Sequence, residues 1–473
     1  MLQCADPRIA LALANLVAVL GLESEAAEIP ICIEGGEFPH LGPCRLATAG
    51  TAVAAAYAAT VAALWRERGG PPPSIRVNTA HALQSLRSFL YLRLNGQPVP
   101  ATIHDAISGF HRTVDGRWIY IYGHDFAGDV LDVLQITGNE AGLTRSIGAW
   151  RAQELEDALA SRKVPAAIVR SESEWRDHPQ RRWLAARPVV EIDRIGASRP
   201  EPFTPLAPLA SPAMRPLSGL RVLDLSHVIC GPMIGRHLAE HGADVLQVVA
   251  PHHPDPAIVT LDTGWGKRIA LADFRRPADA SRIKDLAASA DVIIQSWRPG
   301  ALDRHGFGAE ALAANRPGLV YVSASCFGAG GPWGDRGGYD PVAQAATGIA
   351  LAEMHDGKPR QVRTLTLNDY LAAYLGAAGT VSALLRRSRQ GGSYHVRVAL
   401  AGTSMWTQSL GQIPVTAEQA GTAFTDPVPP RLLTMHSAFG QLTTLMPAAD
   451  LSATPARLDA PPRPAGTAEL TWL

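Results

Sequence analysis

The chain has 473 residues, with 43 Lys and Arg against 43 Asp and Glu, so it carries no formal net charge at pH 7. This length provides for two or three domains with ample core, and the neutral balance argues against a general nucleic-acid-binding protein, which carries a basic stripe. Five cysteines without Cys-x-x-Cys spacing predict a reduced, cytoplasmic protein with no disulfide framework and no metal site.

Residues 1–99 are predicted to form a partial repeat of a later helix–strand unit. Their apolar stretch Ile9–Leu20 is too short to span a bilayer and follows no basic segment, so we expect no membrane partner. Further along, an apolar segment ends in a basic stretch, two glycines and a short strand, which is the pattern of a helix stopped by glycine. The same succession recurs later, and the paired segments are Thr60–Leu64 with Thr380–Leu384, Gly69–Gly70 with Gly391–Gly392, and Ile75–Val77 with Val396–Val398.

Residues 100–197 show the pattern of a small α/β domain. A turn and strand at 115–122 precede a helix with apolar residues in phase at 147–160 and an apolar strand at 164–169. The prolines of 198–216 exclude a single helix or a central strand, so this segment is predicted to be a linker. Residues 411–473, also rich in proline, are predicted to form a C-terminal tail.

The segment 217–249 predicts a strand, a turn, a helix and a second strand. Arg221–Leu225 is short and apolar, Ser226–Pro232 contains Gly and Pro, Met233–His241 has helical spacing, and Val245–Val249 is apolar again. This order begins a mononucleotide-binding fold, in which the first turn faces the ligand. We therefore predict an α/β protein with a nucleotide-binding, Rossmann-like parallel sheet over 217–410 and a smaller α/β domain before it.

Five segments of this region resemble, in the same order, segments of the family III CoA-transferases, the family of formyl-CoA transferase, carnitine CoA-transferase and α-methylacyl-CoA racemase. Residues 100–197 resemble the small domain of that family, which normally follows the nucleotide-binding half and here precedes it. The chain therefore resembles the family with a rearranged or duplicated segment order. The five segments are Leu217–Val249, Gly266–Leu271, Asp291–Gly308, Leu319–Asp335 and Gly338–Gln344.

Asp369 follows the segment Val362–Leu367, predicted to be extended, and opens an apolar helix predicted over Tyr370–Arg387. At that place an aspartate is first of all a helix N-cap. The resemblance implies a second role, because the family's aspartate at this position forms covalent acyl and CoA intermediates. A helix N-terminus lowers the pKa of a carboxyl group, and the ionised form is the one that attacks a thioester. The register of the repeat places Ala49 at the corresponding position of the first copy.

The resemblance also implies a CoA-binding set. Cations suit the phosphates of CoA, and side chains after the strands lie at the ligand edge of a parallel sheet. Taken singly, the histidine of the set is a solvated loop residue and its cations are surface charges. Racemases of the family have His where this chain has a tyrosine, whose phenol is a poor base near neutral pH. The predicted CoA-binding residues are His227, Lys267, Arg268, Ser296, Trp297, Arg304 and Tyr339.

These patterns predict a homodimeric CoA-transferase that moves CoA between an acyl-CoA and a small carboxylic acid through an aspartyl intermediate. CoA and acyl-CoA are then substrates, and no cofactor is held permanently. Two alternatives stay open, an acyl-CoA racemase or isomerase, and a catalytically silent CoA-binding or scaffolding subunit. Ala49, the rearranged order and the lack of the glycine run with which the family's transferases cover the aspartate favour the silent subunit.

Overall fold

The structure, a computed structural model, describes residues 2–100, 106–136, 140–205, 214–416 and 423–473. The N-terminal part is a small parallel sheet, β1-β2-β3, with helices around it and a separate two-stranded hairpin. Its elements are β1 (Leu2–Cys4), α1 (Pro7–Leu20), α2 (Glu23–Glu28), β2 (Ile31–Glu34), α3 (Leu46–Glu67), β3 (Ile75–Asn78), α4 (Thr79–Ser85), β4 (Arg93–Leu94) and β5 (Gln97–Pro98).

The small domain follows and has an apolar core of its own. Three antiparallel strands pack against short helices through apolar residues such as Ile119, Val130 and Leu155. The elements are β6 (Gly109–Arg112), β7 (Trp118–Ile121), α5 (Ala127–Leu134), α6 (Glu140–Ile147), α7 (Ala152–Ser161), β8 (Ala166–Ile168), α8 (Glu172–Asp177), α9 (Pro179–Ala185) and β9 (Val190–Gly196). The last strand lies outside this domain, because β9 pairs antiparallel with a strand of the large sheet.

The large domain contains β10 (Arg221–Asp224), α10 (Cys230–Glu240), β11 (Asp244–Val249), α11 (Ala257–Thr263), β12 (Lys267–Leu271), α12 (Pro277–Ala287), β13 (Val292–Gln295), α13 (Ala309–Asn315), β14 (Val320–Ser325), α14 (Asp340–Thr347), α15 (Ile349–Ala352), α16 (Asn368–Gln390), β15 (Ser393–Ala399) and α17 (Leu400–Ser409). Its sheet has the order β12-β11-β10-β13-β14-β15-β9, and the first six strands are parallel. That order is the one of doubly wound sheets, whose ligands bind where it reverses, at the carboxyl ends of β10 and β13.

Helix α3 packs along α16, and the two helices join the N-terminal part to the large sheet in one continuous core. By length and composition α3 could cross a membrane, but its apolar window is entirely buried within the fold. Each of the two helices ends before a short strand, β3 or β15, as the repeated pattern predicts. The N-terminal part therefore packs against the large domain through α3. The unit formed by α3 and β3 repeats the unit formed by α16 and β15 in the large domain.

The last part of the chain differs from the predicted tail. The strands β16 (Leu432–Ser437) and β17 (Gly440–Leu445) form a hairpin that pairs with β4, and β18 (Ala449–Leu451) pairs with β3. Prolines at 427, 429, 430 and 447 flank these strands and leave their ladders intact. The described parts of the predicted linker, 198–205 and 214–216, contain no helix or strand, and residues 206–213 lie outside the described residues.

Candidate active site

Two cavities meet at Asp369, near the start of α16. The strand-end cavity lies beside the carboxyl ends of the parallel strands and includes His227, Ser296 and Ser325. The apolar cavity lies between the large domain and the small domain and includes Tyr122, Val259 and Leu365. Asp369 is 8% exposed, so its carboxyl group is nearly buried and still faces open space. The residues that line both cavities are Val228, Ile229, Tyr339 and Asp369.

Two residues on these walls have a left-handed backbone. Val228 has φ 63° in the turn after β10, and Leu365 has φ 68° four residues before Asp369. This conformation is uncommon outside glycine, and for a β-branched residue such as valine it is a genuine outlier. Hydrogen bonds hold both turns, since the Val228 N–H donates to Asp255 Oδ1 (2.8 Å) and the Leu365 N–H donates to Val362 O (2.8 Å). The segment Val362–Leu367, predicted to be extended, is therefore a tight turn.

Asp369 does not cap its own helix, because α16 begins at Asn368, two residues earlier than a cap at Asp369 would require. The cap is Asp340, whose Oδ2 accepts from the backbone N–H groups of Leu367 and Asp369, both at 2.9 Å. Its Oδ1 accepts from Gln344 Nε2 at 2.5 Å and from Asn368 Nδ2 at 3.4 Å. Every partner of Asp340 is a donor, so this buried carboxylate is satisfied in its ionised form. The side chain of Asp369 is thereby left for chemistry.

The ionisation of Asp369 differs from the sequence-based expectation. Burial, and secondly the nearby charge of Asp340, raise the pKa of Asp369 well above its ordinary value of 3.8. Desolvation disfavours the charged form of a carboxyl group, and a neighbouring anion adds to that cost. The predicted lowering by the helix N-terminus is therefore wrong, because the helix N–H groups nearest to Asp369 donate to Asp340 instead.

The first copy of the repeat is capped in the same way but lacks the acid. The carboxylate of Glu37 accepts from the backbone N–H groups of Ala47 and Thr48 at the start of α3, each at 3.0 Å. The residue that follows, Ala49, is fully buried among apolar neighbours. Each long helix thus starts against a carboxylate from a preceding segment, and α16 alone of these two carries an aspartate in its first turn.

His227 and Ser296 join the two strand ends at the reversal of the sheet. The His227 N–H donates to Ser296 Oγ, and that hydroxyl donates to His227 O, both at 3.0 Å. The imidazole of His227 packs at a tilt of 33° against the indole of Trp297, with the ring centres 4.1 Å apart, and the indole N–H donates to Leu225 O at 2.7 Å. Burial lowers the pKa of His227 to about 3, so this histidine is neutral and is not the solvated loop residue that the sequence allows.

The βα turn lies near the start of a stretch of chain that is similar to known proteins. Residues 217–423 match the model of CoA-transferase family III. This stretch is a CoA-transferase family III domain. An acetyl-coenzyme A transferase of Hypoxylon pulicicidum is 29% identical over 394 residues, which cover 73% of this chain and 66% of that protein. Residues 217–473 make up less than 73% of this chain, so the match includes part of the first 216 residues.

Two further relatives match the family III domain more narrowly. A succinate–glutarate CoA-transferase of Agrobacterium fabrum is 31% identical over 204 residues, which cover 39% of this chain and 51% of that protein. The crystal structure of a CAIB/BAIF family protein from Brucella suis has 27% sequence identity and a TM-score of 0.38, and covers 48% of this chain and 65% of that chain. The chain thus spans between about half and two thirds of the length of these three relatives.

Of the residues predicted for the family III domain, the structure brings His227, Ser296, Tyr339 and Asp369 together on the cavity walls. Trp297 packs against His227 and does not itself line the strand-end cavity. Tyr339 stacks on Tyr122 of the small domain at 4.0 Å. Burial raises the pKa of Tyr339 above its ordinary value, so its phenol is an even poorer base than the sequence predicts.

Lys267 is not a phosphate ligand. Its ammonium is buried and donates to Asp224 Oδ2 (2.8 Å) and Pro232 O (2.5 Å) below the start of α10. Gly235 makes room for this pair, because a Cβ there would lie 2.7 Å from Asp224 Oδ2. Burial lowers the pKa of Lys267 and Asp224 raises it again. The ammonium group of Lys267, which the sequence predicts to contact CoA, is therefore buried in the large domain and paired with Asp224.

The other two predicted cations lie outside both cavities. Arg268 forms an ion pair with Asp244 (2.8 Å) and donates to Thr471 O (2.7 Å), near the amino ends of the parallel strands. It therefore lies on the edge opposite to the ligand edge, which contradicts the predicted role. Arg304 is exposed on a short 3₁₀ helix after β13, and its Nε donates to Ala301 O at 3.1 Å. A phosphate role for Arg304 stays a prediction.

The buried position of Lys267 makes a prediction about stability. In Lys267→Met, Asp224 loses its counterion and becomes an uncompensated buried carboxylate, so we expect the free energy of unfolding to fall by about 3–5 kcal/mol. Denaturation in urea measures this loss. The exposed Lys358 provides the matched control, and Lys358→Met is expected to change stability by less than about 0.5 kcal/mol. Equal effects of the two substitutions contradict the buried-pair assignment.

Several groups of this site are joined to it only by the fold. Asp340 caps α16 from 29 residues away in the chain. Tyr122 and Asp125 come from the small domain, and Asp125 lies 3.6 Å from the imidazole Nε2 of His253 in the large domain. Burial raises the pKa of Asp255 on the same wall to about 6. Only the domain packing reveals these groups, because no local pattern joins them.

Proposed function

We propose that this protein transfers CoA between an acyl-CoA thioester and a carboxylic acid, with Asp369 as the nucleophile. The observation that carries this proposal is the place of Asp369, where the strand-end cavity and the apolar cavity meet. A thioester that lies across this point has its CoA portion toward the ligand edge of the sheet and its acyl portion in the apolar cavity. The family III domain and the names of its relatives, which are CoA-transferases, support the same reaction.

The chemistry proceeds by alternating anhydride and thioester formation on one carboxyl group. Asp369 attacks the thioester carbonyl, the C–S bond breaks, and the CoA thiolate leaves an acyl–aspartyl anhydride. The thiolate then attacks the aspartyl carbonyl, which releases the first acid and forms an aspartyl–CoA thioester. An incoming carboxylate attacks this thioester and forms a second anhydride, and the thiolate attacks its acyl carbon. This last step gives the new acyl-CoA and restores the carboxylate of Asp369.

The raised pKa of Asp369 lowers the fraction of its carboxyl group that is ionised, but it suits a nucleophile whose ionised form must be highly reactive. A desolvated carboxylate lacks the hydration shell that weakens it in water, and the free energy of burial is recovered when the anhydride forms without charge. The same raised pKa predicts that activity increases with pH as the proton leaves Asp369. The carboxylate of Asp340 stays fixed by its four donors during these steps and holds the backbone of Asp369 in place.

The two alternatives have weaker support at this site. A racemase needs a base beside the acyl α-carbon, and the family's histidine is replaced by Tyr339, whose pKa is raised by burial and whose ring is stacked on Tyr122. A silent subunit has no need of an uncommitted, desolvated carboxyl group between two cavities. The substitution of Ala49 for the aspartate removes this group from the first copy only.

Trapping of the covalent intermediate tests the proposal. Incubation with acetyl-CoA or succinyl-CoA and then hydroxylamine is expected to convert Asp369 to its hydroxamate, because hydroxylamine cleaves anhydrides and thioesters. Peptide mass spectrometry locates the adduct, and transfer from each acyl-CoA to acetate, succinate or glutarate is measured in parallel. The exposed Asp356 serves as the matched acid, so Asp356→Asn keeps the adduct and Asp369→Asn loses it. Clear CoA binding without adduct or transfer would instead favour the silent subunit.

A further inference from the structure

The apolar cavity beside Asp369 is enclosed by all three parts of the chain. Phe89 comes from the N-terminal part, Tyr122 from the small domain, and Val259 and Leu365 from the large domain. Most of the surface that faces this space is apolar. An acyl group whose carbonyl carbon lies at Asp369 is therefore surrounded by aromatic and aliphatic side chains, which bind hydrocarbon and offer little to a charged group.

Hydrogen bonds to a buried carboxylate hold one side of this cavity in place. Asp262 accepts from Ser88 Oγ at 2.8 Å and from Tyr370 Oη at 2.7 Å. The ring of Phe89 is stacked on that of Tyr370, with the ring centres 6.4 Å apart. Arg236 Nη1 donates to Asp262 Oδ1 at 3.0 Å and neutralises this carboxylate. Because the wall is fixed before a ligand arrives, an apolar acyl group can bind with little reorganisation.

Carboxyl groups are the main charged groups that line the apolar cavity. Burial raises the pKa of Asp255 to about 6, which leaves this carboxyl group mostly ionised at neutral pH. A ligand carboxylate inside the cavity would be desolvated and would face these like charges. The lining carboxyl groups belong to Asp125, Asp255, Asp340 and Asp369.

The basic side chains that line the cavity are two histidines. His124 and His253 both lie beside Asp125, with N–O distances of 3.9 Å and 3.6 Å. Among the residues that the structure describes, no arginine or lysine lines this cavity. A second carboxylate on the acyl group would therefore be surrounded by more carboxyl groups than basic groups.

Arginines do line a neighbouring cavity, but they have carboxylate neighbours there. Gln361 and Leu365 line both cavities and form the wall between them. The arginines line the neighbouring cavity and not the apolar one, so the apolar cavity itself offers no guanidinium to a terminal carboxylate. The carboxylate neighbours are Glu353 for Arg360 and Arg363, and Asp426 for Arg87.

We propose that the apolar cavity selects an uncharged, apolar acyl group, on the thioester that donates CoA and on the acid that receives it, and rejects a dicarboxylic acyl group. Each CH₂ group that is buried against such a wall tightens binding about fourfold. A terminal carboxylate, by contrast, must be buried without a cation or take up a proton. The same cavity serves both substrates, because each acyl group in turn is joined to Asp369. The proposal rests on the proposed transferase function and names the class of substrate that this site takes.

Matched substrates test this selection in the full chain. Butyryl-CoA and succinyl-CoA have acyl chains of equal length and differ only in the terminal group, a methyl or a carboxylate. With acetate as the common acceptor, we expect kcat/KM for butyryl-CoA to exceed that for succinyl-CoA by about thirtyfold or more. With acetyl-CoA as the common donor, butyrate should be preferred to succinate in the same way. Equal values, or a preference for the dicarboxylic substrates, overturn the proposal.

A cation placed on the cavity wall should weaken the selection. Leu365 is 40% exposed, and its turn is held by its backbone N–H and carbonyl groups, so Leu365→Arg keeps these hydrogen bonds. In this variant the ratio of kcat/KM for butyryl-CoA to that for succinyl-CoA should fall about tenfold or more, because a guanidinium pairs with a carboxylate. Met354→Arg adds the same charge at a residue that is 38% exposed and does not line the cavity, and it should leave the ratio unchanged. The same ratio in both variants overturns the proposal.

A second variant and a binding measurement keep the test independent of folding and of turnover. Circular dichroism verifies folding, and Gln361→Lys on the same wall replaces Leu365→Arg if that variant does not fold. If the wild type transfers no CoA from any thioester, the transferase function fails, and calorimetry with butyryl-CoA and succinyl-CoA still tests the cavity. Tighter binding of butyryl-CoA then supports the selection of apolar acyl groups, whereas equal binding or tighter binding of succinyl-CoA overturns it.

Discussion

Replacing Asp369 with asparagine is expected to abolish CoA transfer and, at the same time, to stabilise the fold at neutral pH. An amide cannot form the anhydride, so the loss of transfer should reach at least roughly 10³-fold. Because the pKa of Asp369 is raised in the folded protein, the stability that its protonated form provides is complete below its ordinary value of 3.8. This stability is lost as the pH rises through the raised pKa.

Asparagine does not ionise, so the variant keeps the stability that the wild type loses. The difference in unfolding free energy between Asp369→Asn and the wild type should therefore widen with pH, by at most about 1.4 kcal/mol per pH unit. Urea denaturation of both proteins between about pH 5 and pH 8 measures this difference. Asp255 and Glu353 also titrate in this range, but their contributions are common to both proteins and cancel. A pH-independent difference, or near-normal transfer by the variant, contradicts the role of Asp369.

The parallel sheet could be predicted from the sequence because its signals are local. The apolar strand, glycine-bearing turn and helical spacing of 217–249 gave β10, α10 and β11 within a few residues of their bounds. The helix–glycine–strand pattern likewise gave α3 with β3 and α16 with β15. Each of these elements depends on residues that are neighbours in the chain, and the buried strands are continuous apolar runs, as is typical of parallel sheets.

The electrostatics of the site could not be predicted in the same way. A lysine in a matching segment looks the same in the sequence whether its ammonium faces solvent or Asp224, and only packing shows that Lys267 is buried. The pKa of Asp369 depends first on its burial and secondly on the charge of Asp340. Asp340 is distant in the chain and accepts the hydrogen bonds of the helix N–H groups. The strands β17 and β18 were missed for a related reason, since their pairing partners β4 and β3 are more than 300 residues away in the chain.

The repeat contains two long helices, and of these two only α16 carries an aspartate in its first turn, the residue that we propose as the nucleophile. Glu37 and Asp340 do the same work in the two copies, because each satisfies the first N–H groups of its helix from outside the helix. A helix capped in this way needs no acid of its own in the first turn. In α3 the corresponding residue is the core alanine Ala49, whereas α16 holds Asp369. Burial, and secondly the charge of Asp340, raise the pKa of this aspartate.

Asp340→Asn is therefore expected to weaken the fold and to shift the pH dependence of transfer without abolishing it. The carboxylate of Asp340 accepts hydrogen bonds on both oxygens, and an asparagine must turn its amide N–H₂ group toward donors on one of the two sides. Leaving one buried donor unsatisfied should lower the free energy of unfolding by about 1–3 kcal/mol. Urea denaturation at a fixed pH measures this loss.

The same substitution removes the negative charge that helps to raise the pKa of Asp369. Asp369 then ionises at lower pH, so the acid limb of kcat/KM should move to lower pH, while kcat falls because the start of α16 is less well held. A purely structural role for Asp340 would lower kcat at every pH and leave the limb in place. The control is Asp450→Asn. Asp450 is exposed, forms an ion pair with Arg431 at 2.8 Å and lines neither cavity, so this substitution should leave the pH profile unchanged. The direction of the shift thus separates a carboxylate that tunes its neighbour from one that only caps a helix.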